Sequence, residues 1–354
     1  MKPDISVIMS VYNGESYLES AVESVIGQTF KNWELIVIND CSTDATGEIL
    51  SSFVKKDARV KVHTNETNLR LPTSLNKAIS LSEGKYIARM DADDICLPDR
   101  LEKQFRFMEE NSDVALSSCR FFTLKNGIYQ AGGIGGRCDF ESMRAMLLVT
   151  NPILHPGVIA KAEVMKELKY DPTHTCTEDM ELWTRFSQNN YKIQLLPEYL
   201  FIYRLHDKQI TSTTLAKQHT EVLKIQERYY GALLEPMSEK MQEFYIGGVY
   251  FKEKAEISAF INYAKWLRKQ TKKNFSQEAV NYALFEILAE YKRCGVSKKD
   301  VLKGMATFPP IFMTKEMIRR KRVAQSDLNK CMKVAEKIGI RQTAGKKSYP
   351  IFEK

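Results

Sequence analysis

The chain is 354 residues long and 44% hydrophobic, enough to bury a full core in one large domain with an appendage. It has no run of eighteen uncharged apolar residues, so no membrane-spanning helix is expected. The net charge of +8 is unevenly spread: residues 215–354 hold 28 Lys and Arg against 15 Asp and Glu, which suggests an anionic surface partner, nucleic acid or the inner leaflet of a membrane.

Residues 5–10 read as a buried strand, and residues 17–28 as a helix with Leu18, Ala21, Val22, Val25 and Ile26 at helical spacing. Further strands are predicted over 33–39, 60–64, 86–90 and 114–122, with helices over 43–56, 73–82 and 101–111 between them. Short apolar strands separated by such helices predict a mostly parallel sheet covered on both faces. Ligands bind such sheets beyond the carboxyl ends of the strands. Three of those ends carry polar clusters: Ser10-Val11-Tyr12-Asn13-Gly14-Glu15, Asn39-Asp40-Cys41-Ser42-Thr43-Asp44 and the run from Asp91 to Asp94.

Residues 123–157, with Gly127, Gly132, Gly133, Gly135 and Gly136, read as a lid or substrate-binding loop followed by a short helix over 140–148. A helix over 178–190 and a strand over 199–205 come next. After Thr214 helical periodicity fills 215–230, 237–270, 277–292 and 315–338, with no convincing strand. The expected division is an α/β domain, 1–214, and an all-helical basic region, 215–354. No signal peptide is expected ahead of the first strand. Seven scattered cysteines without a Cys-x-x-Cys pair fit a reducing, cytosolic compartment better than disulfides or zinc.

The most informative stretch is Tyr86-Ile87-Ala88-Arg89-Met90-Asp91-Ala92-Asp93-Asp94, a strand ending in three carboxylates within four residues. Like charges so close repel, and desolvating them unpaired is costly. A hard divalent cation, Mg2+ or Mn2+, relieves this and keeps positions open for water and phosphate oxygens. Alone, the run is equally a solvated acidic turn before the helix that follows Pro98.

Further blocks occur in order along the chain. Val7-Ile8-Met9-Ser10-Val11-Tyr12-Asn13-Gly14-Glu15 with Gln28-Thr29-Phe30 comes first, then Glu34-Leu35-Ile36-Val37-Ile38-Asn39-Asp40 with Ser42-Thr43-Asp44. Ser74-Leu75-Asn76-Lys77-Ala78-Ile79 and Arg89-Met90-Asp91-Ala92-Asp93-Asp94 with Leu97-Pro98-Asp99-Arg100-Leu101 follow. Asn151-Pro152 with His155-Pro156, Glu178-Asp179 with Leu182-Trp183, and Tyr203-Arg204 with His206 complete the set. Over residues 3–210 the chain resembles the inverting glycosyltransferases of family 2, which have the GT-A nucleotide-diphospho-sugar transferase fold. The helical region lies outside the resemblance.

The resemblance implies a Rossmann-like, mostly parallel sheet flanked by helices. It also implies a nucleotide-diphospho-sugar donor, a UDP-sugar foremost, and a saccharide or lipid-linked saccharide acceptor. Asp93 is then the first candidate ligand for Mn2+ or Mg2+, with Asp91 binding ribose or metal, Asp94 helping to orient the site, and His206 a third ligand or a diphosphate contact beside Arg204. Asp40 is expected at the base or ribose, within reach of the turn from Val11 to Glu15, where Tyr12 either packs on the base or joins the core. Asp179 is the expected general base with Glu178 beside it, at a helix start that favours the ionised form. The rival reading of that pair is helix capping alone. Trp183 suits core packing better than sugar stacking, and His155 is expected to shape the acceptor pocket. Arg70 stands where relatives commonly carry glycine, either as a cation near the diphosphate or as an altered loop. Cys41 is a similar departure, harmless if its turn needs no positive φ.

Nucleotidyl transfer would want a basic glycine-rich loop where residues 11–15 are instead acidic. A degenerate scaffold or carbohydrate-binding module fits poorly with retention of Asp91, Asp93 and Asp179. For the tail, nucleic acid is disfavoured because its cations lie among acidic-interrupted helical segments without a reader motif. The apolar stretch 306–313, followed by Lys315, Arg319, Arg320, Lys321 and Arg322, instead suggests an interfacial anchor on anionic lipid, peripheral to the membrane. The alternatives are packing on the tail's own helices, or an acceptor-binding or homo-oligomer surface.

Overall fold

Continuous apolar runs build the centre of the protein, seen here in a computed structural model. It describes residues 2–132, 136–206, 237–245, 256–293, 296–346 and 349–353, with Gln218, Glu221, Val222, Lys224, Ile225, Arg228 and Tyr229. β1 (Ile5–Val11) and β2 (Trp33–Asn39) are buried along nearly their whole length, as strands covered on both faces must be. They pair in parallel with each other, β1 pairs in parallel with β4 (Tyr86–Asp91), and β2 with β3 (Val60–Thr64). The connecting helices α1 (Leu18–Ile26), α2 (Thr46–Lys56) and α3 (Arg70–Leu81) each bury a stripe; in α1 it is Leu18, Ala21, Val22 and Val25.

Past β4 the sheet continues through the antiparallel β9 (Ile159–Lys161) to β6 (Val114–Ser117) and β10 (Lys192–Ile193). Its order is β10-β6-β9-β4-β1-β2-β3. This is the expected mostly parallel sheet flanked by helices.

A second sheet was not anticipated. The strand expected over 114–122 is two strands: β6 ends at Ser117, and β7 (Cys119–Lys125) starts afresh in the other sheet. There β7 pairs with β8 (Ile128–Ala131) and β11 (Leu196–Arg204), and β11 with β5 (Ile95–Cys96). The stretch expected to open as a loop at residue 123 therefore begins as a hairpin. Asn126 and Gly127, at φ +51° and +78°, form its two-residue turn, which needs positive φ at both positions. Residues 133–135 of the expected loop lie outside the described residues. The chain then runs through α5 (Phe140–Met146) towards α6 (Ala162–Leu168) and α7 (Glu178–Gln188).

The C-terminal region is helical as expected: α8 (Glu239–Phe244), α9 (Ile257–Thr271), α10 (Gln277–Arg293), α11 (Lys298–Met305) and α12 (Pro310–Lys337). The helix expected over 215–230 lies largely outside the described residues, although those described within it are helical. The expectation of no strand after Thr214 fails at the end: beyond α12 the chain returns as a hairpin, β12 (Arg341–Lys346) and β13 (Tyr349–Glu353), and adds to the second sheet through β8. Phe308 and Phe312 of the apolar stretch are buried and stack at 5.7 Å, edge-on to Phe285. The tail aromatics thus pack on the tail's own helices. One apolar core joins these helices to the first sheet, from Ile8 and Ile36 to Phe260, Leu284 and Phe308.

Charge completes the attachment of α12. Asp327 pairs with Arg120 of β7 at 2.5 Å, both nearly inaccessible, and Lys330 reaches Glu198 at 3.0 Å. Breaking one side of such a buried pair leaves an uncompensated charge and typically costs about 3–5 kcal/mol. We expect Asp327→Asn to lower the urea midpoint accordingly, and Arg120→Met with Asp327→Leu to recover most of the loss. A single variant as stable as the parent would show that the pair does not tie α12 to the sheet.

Candidate active site

The parallel register aligns the carboxyl ends of three strands, with Val11 opposite Asn39 and Ser10 opposite Asp91. Just beyond, two loops brace each other. The Asn13 N–H donates to Ser42 Oγ at 3.0 Å, the Thr43 N–H to Asn13 Oδ1 at 2.8 Å, and the Glu15 N–H to Asp44 Oδ2 at 3.1 Å. The Glu15 carboxylate accepts the Ala45 N–H at 3.0 Å, so it acts as a strut between the loops. Val11 is buried, and its carbonyl accepts the Asp40 N–H at 2.8 Å. Tyr12 stands 53% exposed on the rim rather than in the core.

Asp40 lies at the floor of this edge, 2% exposed. Its Oδ1 accepts Asn65 Nδ2 at 2.7 Å and the Leu69 N–H at 2.9 Å. Asn65 is itself fixed, donating to Ser74 Oγ and accepting from Lys77. The turn that follows is closed by Asn39, whose Oδ1 accepts the Ser42 N–H at 3.1 Å. Cys41 sits at φ +64°, so its turn does adopt the left-handed conformation and the condition for a harmless departure from glycine is not met.

At the end of β4, one ligand atom from each of Asp91, Asp93 and Asp94 lies within 4.8 Å of the others. Asp94 is fully buried; one oxygen accepts the Arg204 N–H at 2.9 Å and the other has no hydrogen-bond partner. Asp93 Oδ2 lies 2.9 Å from His206 Nε2, and Arg204 Nη1 donates to the Asp93 carbonyl at 3.0 Å. The His206 ring rests on Tyr17, 5.0 Å between centroids. Burial raises Asp91 to about 6 against the pull of Arg89, and burial raises Asp94 well above the carboxylate range. An oxygen-rich cluster driven towards protonation, with an orphaned buried carboxylate oxygen, has the donor chemistry that suits a hard divalent cation.

The second acidic group opens α7. Asp179 accepts the Met180 N–H on Oδ1 and Asn151 Nδ2 on Oδ2, both at 2.7 Å. Its neighbour Glu178 is buried, and burial, then the Asp179 charge, raises it to about 8. His155 Nδ1 is 3.8 Å from Glu178, its Nε2 lies 2.7 Å from Tyr170 Oη, and burial holds it well below the usual histidine range. Neutral imidazole and raised carboxyl form a buried pair beneath Asp179. His155 is thus buried beside Glu178, and Trp183, wholly buried at its edge, is core.

Arg89 joins the two acidic groups. It is 3% exposed, its Nη1 donates to Asp91 Oδ2, and its charge also lowers Asp94, Glu178 and Asp179. The sequence reading assigned no role to Arg89, to Asn151, or to Gln28. The Gln28 side chain is fully buried, donates to the Leu97 carbonyl at 2.8 Å and accepts the Leu101 N–H at 3.0 Å. It ties α1 to the segment after the acidic cluster. An arginine inside an apolar strand run was the available signal for the first. A cavity of about 870 Å³ bordered by Lys2, Lys85, Glu109 and Lys166 lies by Tyr86, at the opposite end of β4 from these groups.

Residues 6–166 match the family model for glycosyl transferase family 2. The chain is 36% identical over 220 residues to an uncharacterized glycosyltransferase of Methanocaldococcus jannaschii, spanning 61% of this chain and 76% of that one. The chain belongs to glycosyltransferase family 2. This glycosyltransferase is also 31% identical over 217 residues to the O-antigen biosynthesis glycosyltransferase WbnJ of Escherichia coli, over 60% of this chain and 84% of the relative. Residues 1–349 of S. aureus TarS, solved in complex with UDP-GlcNAc, superpose with a TM-score of 0.54 at 16% identity over 99% of both chains. That likeness is one of fold, and it extends through the helical region.

Arg70 opens α3 at φ +68° with its side chain exposed, next to the Leu69 N–H that holds Asp40. Arg70→Gly should relieve the left-handed strain and stabilise the glycosyltransferase by up to about 1 kcal/mol. If its guanidinium meets the donor, the same change raises the donor KM. A stabilised variant with unchanged donor affinity assigns Arg70 to the loop alone.

Proposed function

We propose that this glycosyltransferase moves a sugar, with inversion, from a nucleotide-diphospho-sugar to a hydroxyl of a saccharide or lipid-linked saccharide in surface polysaccharide or lipooligosaccharide synthesis. The donor is read as a UDP-sugar. The observation that carries this is the pair of acidic groups on either side of the buried Arg89, one suited to a metal and diphosphate, the other to a base. The O-antigen role of WbnJ and the UDP-GlcNAc bound to TarS favour the saccharide acceptor and the UDP donor.

In this reading residues 1–214 form the catalytic unit. Asp40 receives the base or ribose, and the turn of residues 11–15 surrounds it. Asp91 and Asp93, with His206, would hold Mn2+ or Mg2+, which when bound supplies Lewis-acid stabilisation to the departing diphosphate. Asp179 takes the proton from the acceptor hydroxyl as that oxygen attacks the anomeric carbon and the bond to the diphosphate breaks on the opposite face. The two donors to Asp179 fix its rotamer and favour the carboxylate. Glu178, kept protonated by burial, supports Asp179 from below rather than sharing its task. The basic region 215–354 works at the inner face of the cell membrane, with the protein cytoplasmic and peripheral. No helix among the described residues is long and apolar enough to cross a membrane. A scaffold without catalysis is the weaker reading, because it gives the Asn151–Asp179 contact and the acidic cluster nothing to do.

Asp179→Asn should leave donor affinity near its parent value while turnover falls on the order of 10²–10⁴-fold, the contribution of a positioned base. Wild-type turnover in that variant, with loss in Glu178→Gln, would reverse the roles within the pair. Asp93→Ala should abolish both Mn2+-dependent donor hydrolysis and transfer in a folded protein. Full activity of the parent enzyme in EDTA rules out the metal assignment.

A further inference from the structure

The outer face of α12 combines features that the protein interior does not use. Ile311, Lys315, Ile318 and Arg322 follow one another at steps of four, three and four, so they form one row along the helix. Thr314, Met317 and Lys321 form the adjacent row. Ile311 is 72% exposed, Met317 59% and Ile318 49%, whereas Phe312, Glu316 and Asp327 of the opposite face are buried. Lys315, Lys321 and Arg322 are exposed and have no ion pair among the described residues, in contrast to Arg319 and Arg320, which pair with Glu316. No carboxylate occurs in either row. In α11, Leu302 is 63% exposed between Lys299 and Lys303.

The geometry points to an anionic lipid surface as the partner of this face; the inference deepens the membrane reading proposed above and rests on it. Exposed isoleucines among unpaired cations gain on a bilayer both by inserting into the headgroup region and by attraction to anionic lipid. A nucleic acid would use the cations but not the isoleucines. A second copy docked by two-fold symmetry would set Lys315, Lys321 and Arg322 against their own counterparts with no carboxylate to answer them. The expected anchor is thereby reassigned: Phe308 and Phe312 face inward, and Ile311, Met317 and Ile318 face outward.

The same helix is tied to the segment that leads towards the candidate site. On the inner side of the same helical turns, the buried Glu316 accepts Arg137 Nη2 at 3.0 Å, and the Arg137 N–H donates to Tyr282 of α10 at 3.0 Å. Arg137 begins the segment that carries α5 and then Asn151 to Asp179.

Cosedimentation of the full chain with phosphatidylglycerol/phosphatidylcholine vesicles tests this. We expect binding at low salt, loss of binding on pure phosphatidylcholine, and weakening as salt rises. Changing Lys315, Lys321 and Arg322 together to glutamine should lower the partition coefficient by roughly a hundredfold, from about 1 kcal/mol per cation. Ile311→Asn with Ile318→Asn should release the protein from vesicles while leaving hydrolysis of a soluble donor unchanged. A parent protein that stays in the supernatant at low salt overturns the inference. So does a parent dimer that the isoleucine variant converts to monomer without any vesicle binding. Donor turnover that persists in either case leaves the enzymatic reading intact, so the two failures are distinguishable.

Discussion

The site depends on one buried cation among carboxylates. Asp91, Asp93 and Asp94 repel one another at the end of β4, Glu178 and Asp179 repel at the start of α7, and burial raises four of these five groups. Arg89 lies where it can answer both sets, and it is itself almost inaccessible to water. A buried arginine is tolerated only when paired and hydrogen-bonded, so the carboxylates hold Arg89 as much as Arg89 holds them. Its Nε remains without a partner. The arrangement is mutually required, and the strand ends that bring it together are fixed by the parallel register of β4 on β1.

The first sheet was legible because its strands are short continuous apolar runs between helices whose buried stripes follow a period of 3.6. The second sheet was hidden for a local reason. β6 and β7 are separated only by Ser118, so one apolar run over 114–122 gives no sign that the chain changes sheets. The Asn126-Gly127 turn was a readable hairpin signal, overlooked because later glycines made the whole stretch resemble a loop. The final hairpin pairs with β8, a partner more than two hundred residues earlier, and such pairing leaves no local trace.

The candidate site was legible where charge is clustered and opaque where it is relayed. Three acids at a strand end and two at a helix start stand out in any reading, and family likeness gave them roles. Asn65 beside Asp40, Asn151 against Asp179, and His155 with Tyr170 beside Glu178 are single uncharged residues scattered over the chain. Asn151 and His155 stand in one of the blocks, but nothing there shows which carboxylate they meet. They become visible only when long-range contacts bring them to a carboxylate.

Two buried glutamates show how the helical region and the cleft balance. Glu178 is raised from 4.5 to about 8, so as pH rises through that interval the folded state is increasingly penalised for keeping it buried. Glu316 is lowered to about 2: burial alone would raise it, but hydrogen bonds from Arg319, Arg137 and Arg320 prevail. Its contribution is present above the unfolded carboxylate value and is lost only as pH falls towards 2. At neutral pH Glu178 therefore carries an electrostatic cost that Glu316 does not share. The tail, through Arg137, anchors the segment that runs on to Asn151, so stability gained at Glu316 supports the part of the molecule where Asp179 is held. This is the pattern expected when a destabilised site is retained for chemistry and the surrounding scaffold offsets it.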